Sequence, residues 1–413
     1  MMKRLLLLLL VLPNLLFAKS FIISAIPLPK TYVLDLNIIT CNELCLQQEW
    51  KNEQIFSFLA HASGVLQNKQ LNSDKLIAES LLNIGSRISN GKIKIALLLP
   101  YTIIGRYAAS TTTSTLAYLL ARNRTFDLKS FNIQNENQDT IADALNKISA
   151  AKYNYIIAPL TKKGVNSVIA INPKVDIFFP TINKNDTNTT SPYLYFGGID
   201  YKAQLALLLQ RAVSPLVIFH TNSPLSNYLT SDAQNSFILS DDTNNVIKYK
   251  ITDRSSNMRY TLQNNNAIAH GSFLMNTPIV KTGMVMSQLT LYDVNSTNIL
   301  STQINYNPLI LSLTQYQDRK NMLIANSIIV NNEIITQTNA LLNNNIRYNW
   351  INYATTIGVD YFFHLITNSN REYPLPIKNN QVIYPINLVK PSYSRFIYIS
   401  PIISKPAVLP SIF

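Results

Sequence analysis

The sequence predicts an α/β protein: two doubly wound lobes preceded by an N-terminal helical extension. Three observations carry this expectation. After Gly91, short apolar runs alternate with amphipathic helical patterns, and the alternation restarts at Leu216. The runs are continuously apolar, as strands of a parallel sheet buried on both faces must be, and right-handed crossovers then place helices on both faces. The chain has 413 residues, more than the roughly 250–300 at which a single hydrophobic core stops growing.

The N-terminus reads as a secretory signal peptide over residues 1–18. Lys3 and Arg4 give a basic start, Leu5 to Leu12 an apolar run, and Ala18 a small residue before Lys19. Leu16 is a weaker minus-three residue than Ala, which fixes the cut only to within a few residues. The competing reading is an uncleaved anchor, but the run is shorter than the ~20 residues that span a bilayer. No Cys lies near the cut to take a lipid. An exported, periplasmic protein of bacterial type is expected.

Residues 19–91 form the extension. Phe21 to Ile26 and Tyr32 to Ile39 read as extended. From Cys41 to Ser89, Trp50, Ile55, Phe58, Leu59, Ala62 and Leu66, then Leu76, Leu81, Leu82 and Ile84, recur at helical steps, and Asn90-Gly91 marks a turn. Cys41 and Cys45 are the only cysteines. In an oxidising compartment a disulfide is expected, and a metal is not, because no His is near in sequence.

The first lobe is placed at 92–213. Lys94–Leu99 reads as a buried strand ended by Pro100. A Ser/Thr cluster, Ser110 to Thr115, leads to a helix through Leu116, Leu119 and Leu120. Further strands are read at Phe126–Ile133, Tyr153–Ala158, Val175–Phe179 and Tyr193–Phe196. Helices are read over Ile141–Ile148, with Asp139-Thr140 as the cap, over Lys163–Ile171 and over Tyr201–Ala212. The second lobe is placed at 214–399, with late segments crossing back to the first, and 400–413 as a tail. Its strands are Leu216–His220, Val246–Ile251 and Ser272–Met275, with Asn298–Tyr306 extended. Leu225–Ser236 and Trp350–Leu365 are helical, and Gln381–Leu388 and Ser394–Ile399 read as a strand pair with a hairpin-like return.

These segments resemble the type I periplasmic-binding-protein fold of amino-acid receptors, also found in activators of penicillin-binding proteins. The likeness rests on KIALLLPYTIIGRYAAS from Lys94, YIIAPL from Tyr155, DIFFPT from Asp176, LYFGGIDYKAQ from Leu194 and INYATTIGVDYFF from Ile351. It departs from such receptors where YTIIG replaces a Gly-rich loop, and where Ile-Asn-Lys-Asn-Asp follows Thr181. Nor does the sequence show a second-lobe acid for an amino group.

Open α/β sheets bind ligands at the carboxyl ends of their strands. The candidate ligand contacts are therefore Tyr101, Thr102, Thr161, Thr181 and Asn222, with Tyr195 near the crossover. The four His, at positions 61, 220, 270 and 364, have no metal-ligand spacing, and GxSxG and phosphate-loop motifs are absent. Asp241-Asp242 reads as a solvated turn. No catalytic residue, cofactor or metal is expected. Asn188 and Asn295 begin N-x-[ST] triplets with an Asp two residues earlier, Asp186 and Asp293, which makes them candidate glycosylation sites. Asn123 and Asn185 begin triplets without the acid.

The formal charge of +13 comes from scattered Lys and Arg, with no basic run. Nucleic acid is not an expected partner. The expected role is a non-enzymatic interaction or scaffold module for an envelope assembly, such as cell-wall synthase activation or a flagellar-motor accessory structure. The alternative is a receptor for a small amphipathic ligand such as an amino acid. A protein partner is expected, and peripheral membrane association stays open.

Overall fold

The computed structural model describes residues 33, 41–62, 66–82, 84, 93–122, 124–241, 243, 245–252, 257–329 and 332–399. The expected signal peptide, the extended reading of 19–40 apart from Val33, Asp242 and the 400–413 tail lie outside them. The chain divides into two compact units, Met1–Ser89 and Asn90–Phe413. Among the described residues no helix is long and apolar enough to cross a membrane.

In the first unit the helical periodicity becomes three helices, Glu43–Lys51, Ile55–His61 and Lys69–Leu81. Asparagine starts two of them: the Asn42 side chain accepts from Cys45 N, and that of Asn68 from Gln70 N and Leu71 N. Leu46, Phe58, Leu59, Ala62, Leu71 and Ala78 form the small core. Cys41 and Cys45 are disulfide-bonded, with Cα atoms 5.4 Å apart. That separation is within the range a bridge accepts.

In the second unit the strands are β1 Ile93–Leu99, β2 Phe126–Asn132, β3 Tyr155–Ile157, β4 Asp176–Phe179 and β5 Leu194–Phe196. The alternation restarts with β6 Leu216–His220, β7 Val246–Lys250, β8 Ser272–Asn276, β9 Asn298–Ser301 and β10 Met322–Asn326. Four late strands follow: β11 Ile377–Lys378, β12 Gln381–Val382, β13 Asn387–Pro391 and β14 Phe396–Ile399. They build two seven-stranded sheets, ordered β11-β12-β5-β4-β3-β1-β2 and β14-β13-β10-β9-β8-β6-β7. The first five strands of each lobe pair in parallel. Of the late strands β12 joins β5 in parallel, while β11, β13 and β14 pair antiparallel, and β13 and β14 form the expected hairpin.

The continuous apolar runs are the central strands: β1, β6, β8 and β10 are buried almost throughout. The edge strands β2 and β7 turn Lys and Ser to solvent. This matches the rule that parallel strands covered on both faces lose their polar alternation.

Three connections join the lobes. The first leaves β5 through Gly197-Gly198 for the Tyr201–Leu209 helix. The sequence placed that helix at the end of the first lobe. Its Leu205 and Leu208 are instead buried with Leu216, Ile218 and Leu229 in the second lobe's core, so the lobe boundary precedes it. The second connection leaves β10 for the Glu333–Leu341 and Trp350–Thr367 helices, which pack on the first lobe's Arg106–Ala121 helix. The third runs from β12 to β13, dividing the single strand read over Gln381–Leu388.

Close approach fixes the returning helix. A Cβ on Gly358 would lie 2.3–2.7 Å from ring atoms of Phe178 on β4. One on Gly197 would lie 2.5 Å from Cζ of the same ring. Phe178 thus packs against two glycines, one on the first connection and one on the returning helix. The same helix carries a buried polar knot. Asp360 accepts from Tyr118 Oη at 2.7 Å, Arg371 Nε at 3.2 Å, Glu372 N at 2.8 Å and Tyr373 N at 3.3 Å. Burial, opposed by these donors, holds the Asp360 pKa above the usual carboxylate value. Burial, and then Asp360, raises that of Tyr118.

Local readings shift by a few residues. The Ser/Thr cluster at 110–115 is inside the Arg106–Ala121 helix, where Thr112 and Thr115 hydroxyls donate to carbonyls one turn back. Asp139 and Thr140 are in the first turn of the Gln138–Ala150 helix, whose N-cap is Asn137. The extended reading of 298–306 ends at Ser301, where a 3-10 turn over Gln303–Asn305 takes over.

Candidate functional site: the interlobe cleft

β1 ends at Pro100, and a single helical turn, Tyr101–Ile104, follows. Gly105 then takes φ +52°, a backbone conformation that favours glycine, and lets the chain turn into the Arg106–Ala121 helix. This geometry puts Arg106 and Tyr107 at the start of a long helix facing the cleft. From the second lobe the ends of β6, β8 and β9 bring Ser223, Asn276 and Tyr306. From the returning segment come Tyr348 and Trp350. Together they line a cavity of about 470 Å³. Its one charged lining residue is Arg106, with Tyr107 stacked beside it at 5.5 Å, and no carboxylate lines it. Tyr201 on the same wall is half-buried, and its desolvation, together with the nearby Tyr107, raises its pKa.

The six residues expected from sequence are distributed differently, and none lines this cavity. Tyr101 is exposed on the single turn after β1. Thr102 Oγ1 donates to Gln134 O. The Thr161 hydroxyl donates to the Glu136 carboxylate, which also accepts Thr161 N at 2.8 Å. Thr181 Oγ1 donates to Leu160 O at 2.6 Å. These three hydroxyls bind their own lobe. Tyr195 faces the returning helix, 5.2 Å from Tyr361 and 5.9 Å from Phe362. Asn222 is an exposed loop residue whose carbonyl accepts from Asn227. Two stretches of the cavity wall follow closely in sequence: Arg106 four residues after Thr102, and Ser223 directly after Asn222. Gly105 was the available signal, since a glycine between two helical stretches marks a turn.

In the second lobe, buried amide side chains bond one another at the ends of β9 and β10. Gln204 Nε2 donates to Ser327 Oγ at 2.8 Å, and Gln204 Oε1 accepts from Gln303 N at 3.0 Å. Gln303 Nε2 donates to Asn326 Oδ1 at 3.1 Å, while Gln303 Oε1 accepts from Ser327 N at 2.6 Å. All four residues are buried. This closed network ties the first and second connections to β9 and β10.

An aromatic seam joins the lobes. Tyr306 is 5.3 Å from Tyr348 and 4.8 Å from Phe396, and Trp350 is 4.8 Å from Tyr384. Tyr384, on the third connection, donates its hydroxyl to Gly197 O on the first at 2.9 Å. Each such ring pair contributes ~0.5–1.5 kcal/mol beyond its buried area. On the connection side a larger cavity, about 1050 Å³, is lined by Lys184, Thr187, Asp200, Ser327 and Asn380 among others.

No protein-family model and no curated protein matches the sequence. Solved structures do. A branched-chain amino acid transporter protein from Thermus thermophilus with bound valine is 9% identical, with TM-score 0.57, over 76% of this chain and 96% of its own. The substrate-binding protein LivJ from Streptococcus pneumoniae, in complex with isoleucine, is 9% identical, with TM-score 0.54, over 75% and 99%. LpoA from Haemophilus influenzae is 15% identical, with TM-score 0.49, over 87% and 72%. Two parallel-cored sheets, three connections and the likeness to the two amino-acid transporter proteins give the second unit its identity: it has the two-lobed type I periplasmic-binding-protein fold.

Proposed function

We propose that this chain is an exported, non-catalytic interaction module that uses a receptor fold to serve a cell-envelope assembly. Activation of a cell-wall synthase and an accessory structure of the flagellar motor are the two candidate settings. One observation carries the reading. The cleft cavity holds one cation, Arg106, and no acid, so the ammonium of an amino acid would lose its water without gaining a counter-charge. Burying an unpaired charge is strongly unfavourable. The amide network at the ends of β9 and β10 and the aromatic seam support the same reading, because lobes joined by packed rings resist the hinge closure a receptor needs. Exposed aromatic surface is available for a partner: Tyr260 and Tyr393 are both largely exposed, and Tyr is enriched at protein interfaces.

The test is photo-crosslinking in native envelopes, with a photoreactive residue replacing Tyr260 or Tyr393. The expected result is a discrete heavier adduct containing a second envelope protein. Adducts indistinguishable from those of an unrelated exported protein would reject the reading. The second reading, a solute receptor, draws on the cavity itself, whose volume falls in the range of ~300–1,000 Å³ of small-molecule sites.

Export and modification share one readout. Asn188 and Asn295 are both exposed, so a transferase could reach them. Intact mass of the protein from its native host should show loss of residues 1–18 and glycan on these sites. A mass equal to the unmodified full chain would reject both.

A further inference from the structure

The disulfide helix carries a second set of donors that the sequence did not bring together. Glu49 is one helical turn beyond Cys45, so it shares that face of the Glu43–Lys51 helix. Donor atoms of Cys41, Cys45 and Glu49 all lie within 4.8 Å of one another. This is the one group of three or more such ligands among the described residues. The sequence argued against a metal because no His was near in sequence. The Ile55–His61 helix folds back, with Trp50 against Phe58 at 5.0 Å, and delivers one. His61 Nδ1 is 2.7 Å from Glu49 Oε1. The Glu49 and His61 side chains are 13% and 9% exposed. The other carboxylate oxygen, Glu49 Oε2, is buried and has no hydrogen-bond partner. A buried carboxylate oxygen without a partner is costly, and a cation is one group that would satisfy it.

We propose that, once the Cys41–Cys45 bond is reduced, Cys41, Cys45 and Glu49 bind a thiophilic divalent cation of the zinc type, with His61 orienting Glu49. Zinc lies about 2.3 Å from thiolate sulfur and 2.0–2.2 Å from carboxylate oxygen. The three donors therefore need only modest side-chain rotation to surround it, and water completes the tetrahedron. His61 acts as the outer partner that fixes the carboxylate, as ligand-bound groups commonly require.

Reduction is a two-electron step. A dithiol in the cell would give two electrons and two protons to the Sγ–Sγ bond and become a disulfide itself. Cation binding then releases the two thiol protons to water. The bridged state and the metal-bound state exclude each other, so the site reports the redox state of the chain.

The test uses the full chain, reduced with a water-soluble phosphine. The phosphine takes oxygen from water while the two sulfurs take its protons. Cobalt(II) is then titrated as a coloured stand-in for zinc. The expected result is one cobalt per chain with a thiolate-to-cobalt absorption band, bleached by zinc and absent from the oxidised chain. Glu49→Gln leaves both thiols in place and should weaken binding. His61→Ala should weaken it about 10–100-fold while keeping the band. A reduced chain whose two thiols titrate but which gives no band would overturn the proposal. So would a band that neither substitution changes.

Discussion

Asp360→Ala should cost about 3–5 kcal/mol, the usual range for breaking a buried ion pair by removing one partner. The carboxylate is the shared acceptor of Tyr118, Arg371 and the backbone N–H groups of Glu372 and Tyr373. Alanine leaves all four donors inside the first lobe without it. Asp360→Asn keeps the volume but supplies one acceptor oxygen in place of two, so its loss should be smaller. The pH dependence has a definite sign. Because burial raises the folded-state pKa of Asp360, the folded chain holds this proton to higher pH than the unfolded chain does. The resulting contribution is complete below the ordinary Asp value and is lost as pH rises through the folded value. Neither variant can show it. Urea melts at several pH values measure both effects. A loss under about 1 kcal/mol in the alanine variant would mean that the knot is not buried as described.

Gly358→Ala should destabilise, although alanine normally stabilises a helix interior by ~0.5–1 kcal/mol over glycine. The sign is decided by space. The new methyl would overlap three ring atoms of Phe178, a side chain that is itself fully buried. Overpacking of this kind costs about 1–3 kcal/mol. Phe178→Leu in the same chain should recover part of the loss, since residues in direct contact couple by ~0.5–3 kcal/mol. Thermal melts of the two single variants and the double variant check this. An alanine variant as stable as the parent would show that the returning helix does not pack on β4 at this distance.

Much of the fold was legible because a parallel sheet writes itself as short apolar runs. β1 and β6 were read to within a residue. The segments missed share a physical cause. The Ile279–Leu291 helix is apolar around most of its circumference, so it shows little helical period. β10 follows Asn321, ends in Asn326 and comes just after two short helices, Leu309–Leu313 and Tyr316–Arg319, so no clear alternation marks it. The division between β12 and β13 had a signal in Pro385, which has no N–H to continue a ladder. The cleft was harder to read. Its wall comes from Arg106, Ser223, Asn276, Tyr306 and Trp350, spread over 245 positions of the chain. Only the connections between the lobes bring these residues together. The threonines chosen from sequence do follow the carboxyl ends of strands, but their hydroxyls are bonded within the first lobe.

The claim that the cleft does not capture amino acids is tested most directly by thermal shift across the natural amino acids at millimolar concentration. A ligand at 100 times its dissociation constant stabilises by about 2.7 kcal/mol, which a melt resolves easily. The structure predicts an unchanged melting temperature with every one of them. A saturable rise with any amino acid, abolished in Arg106→Ala, would contradict it.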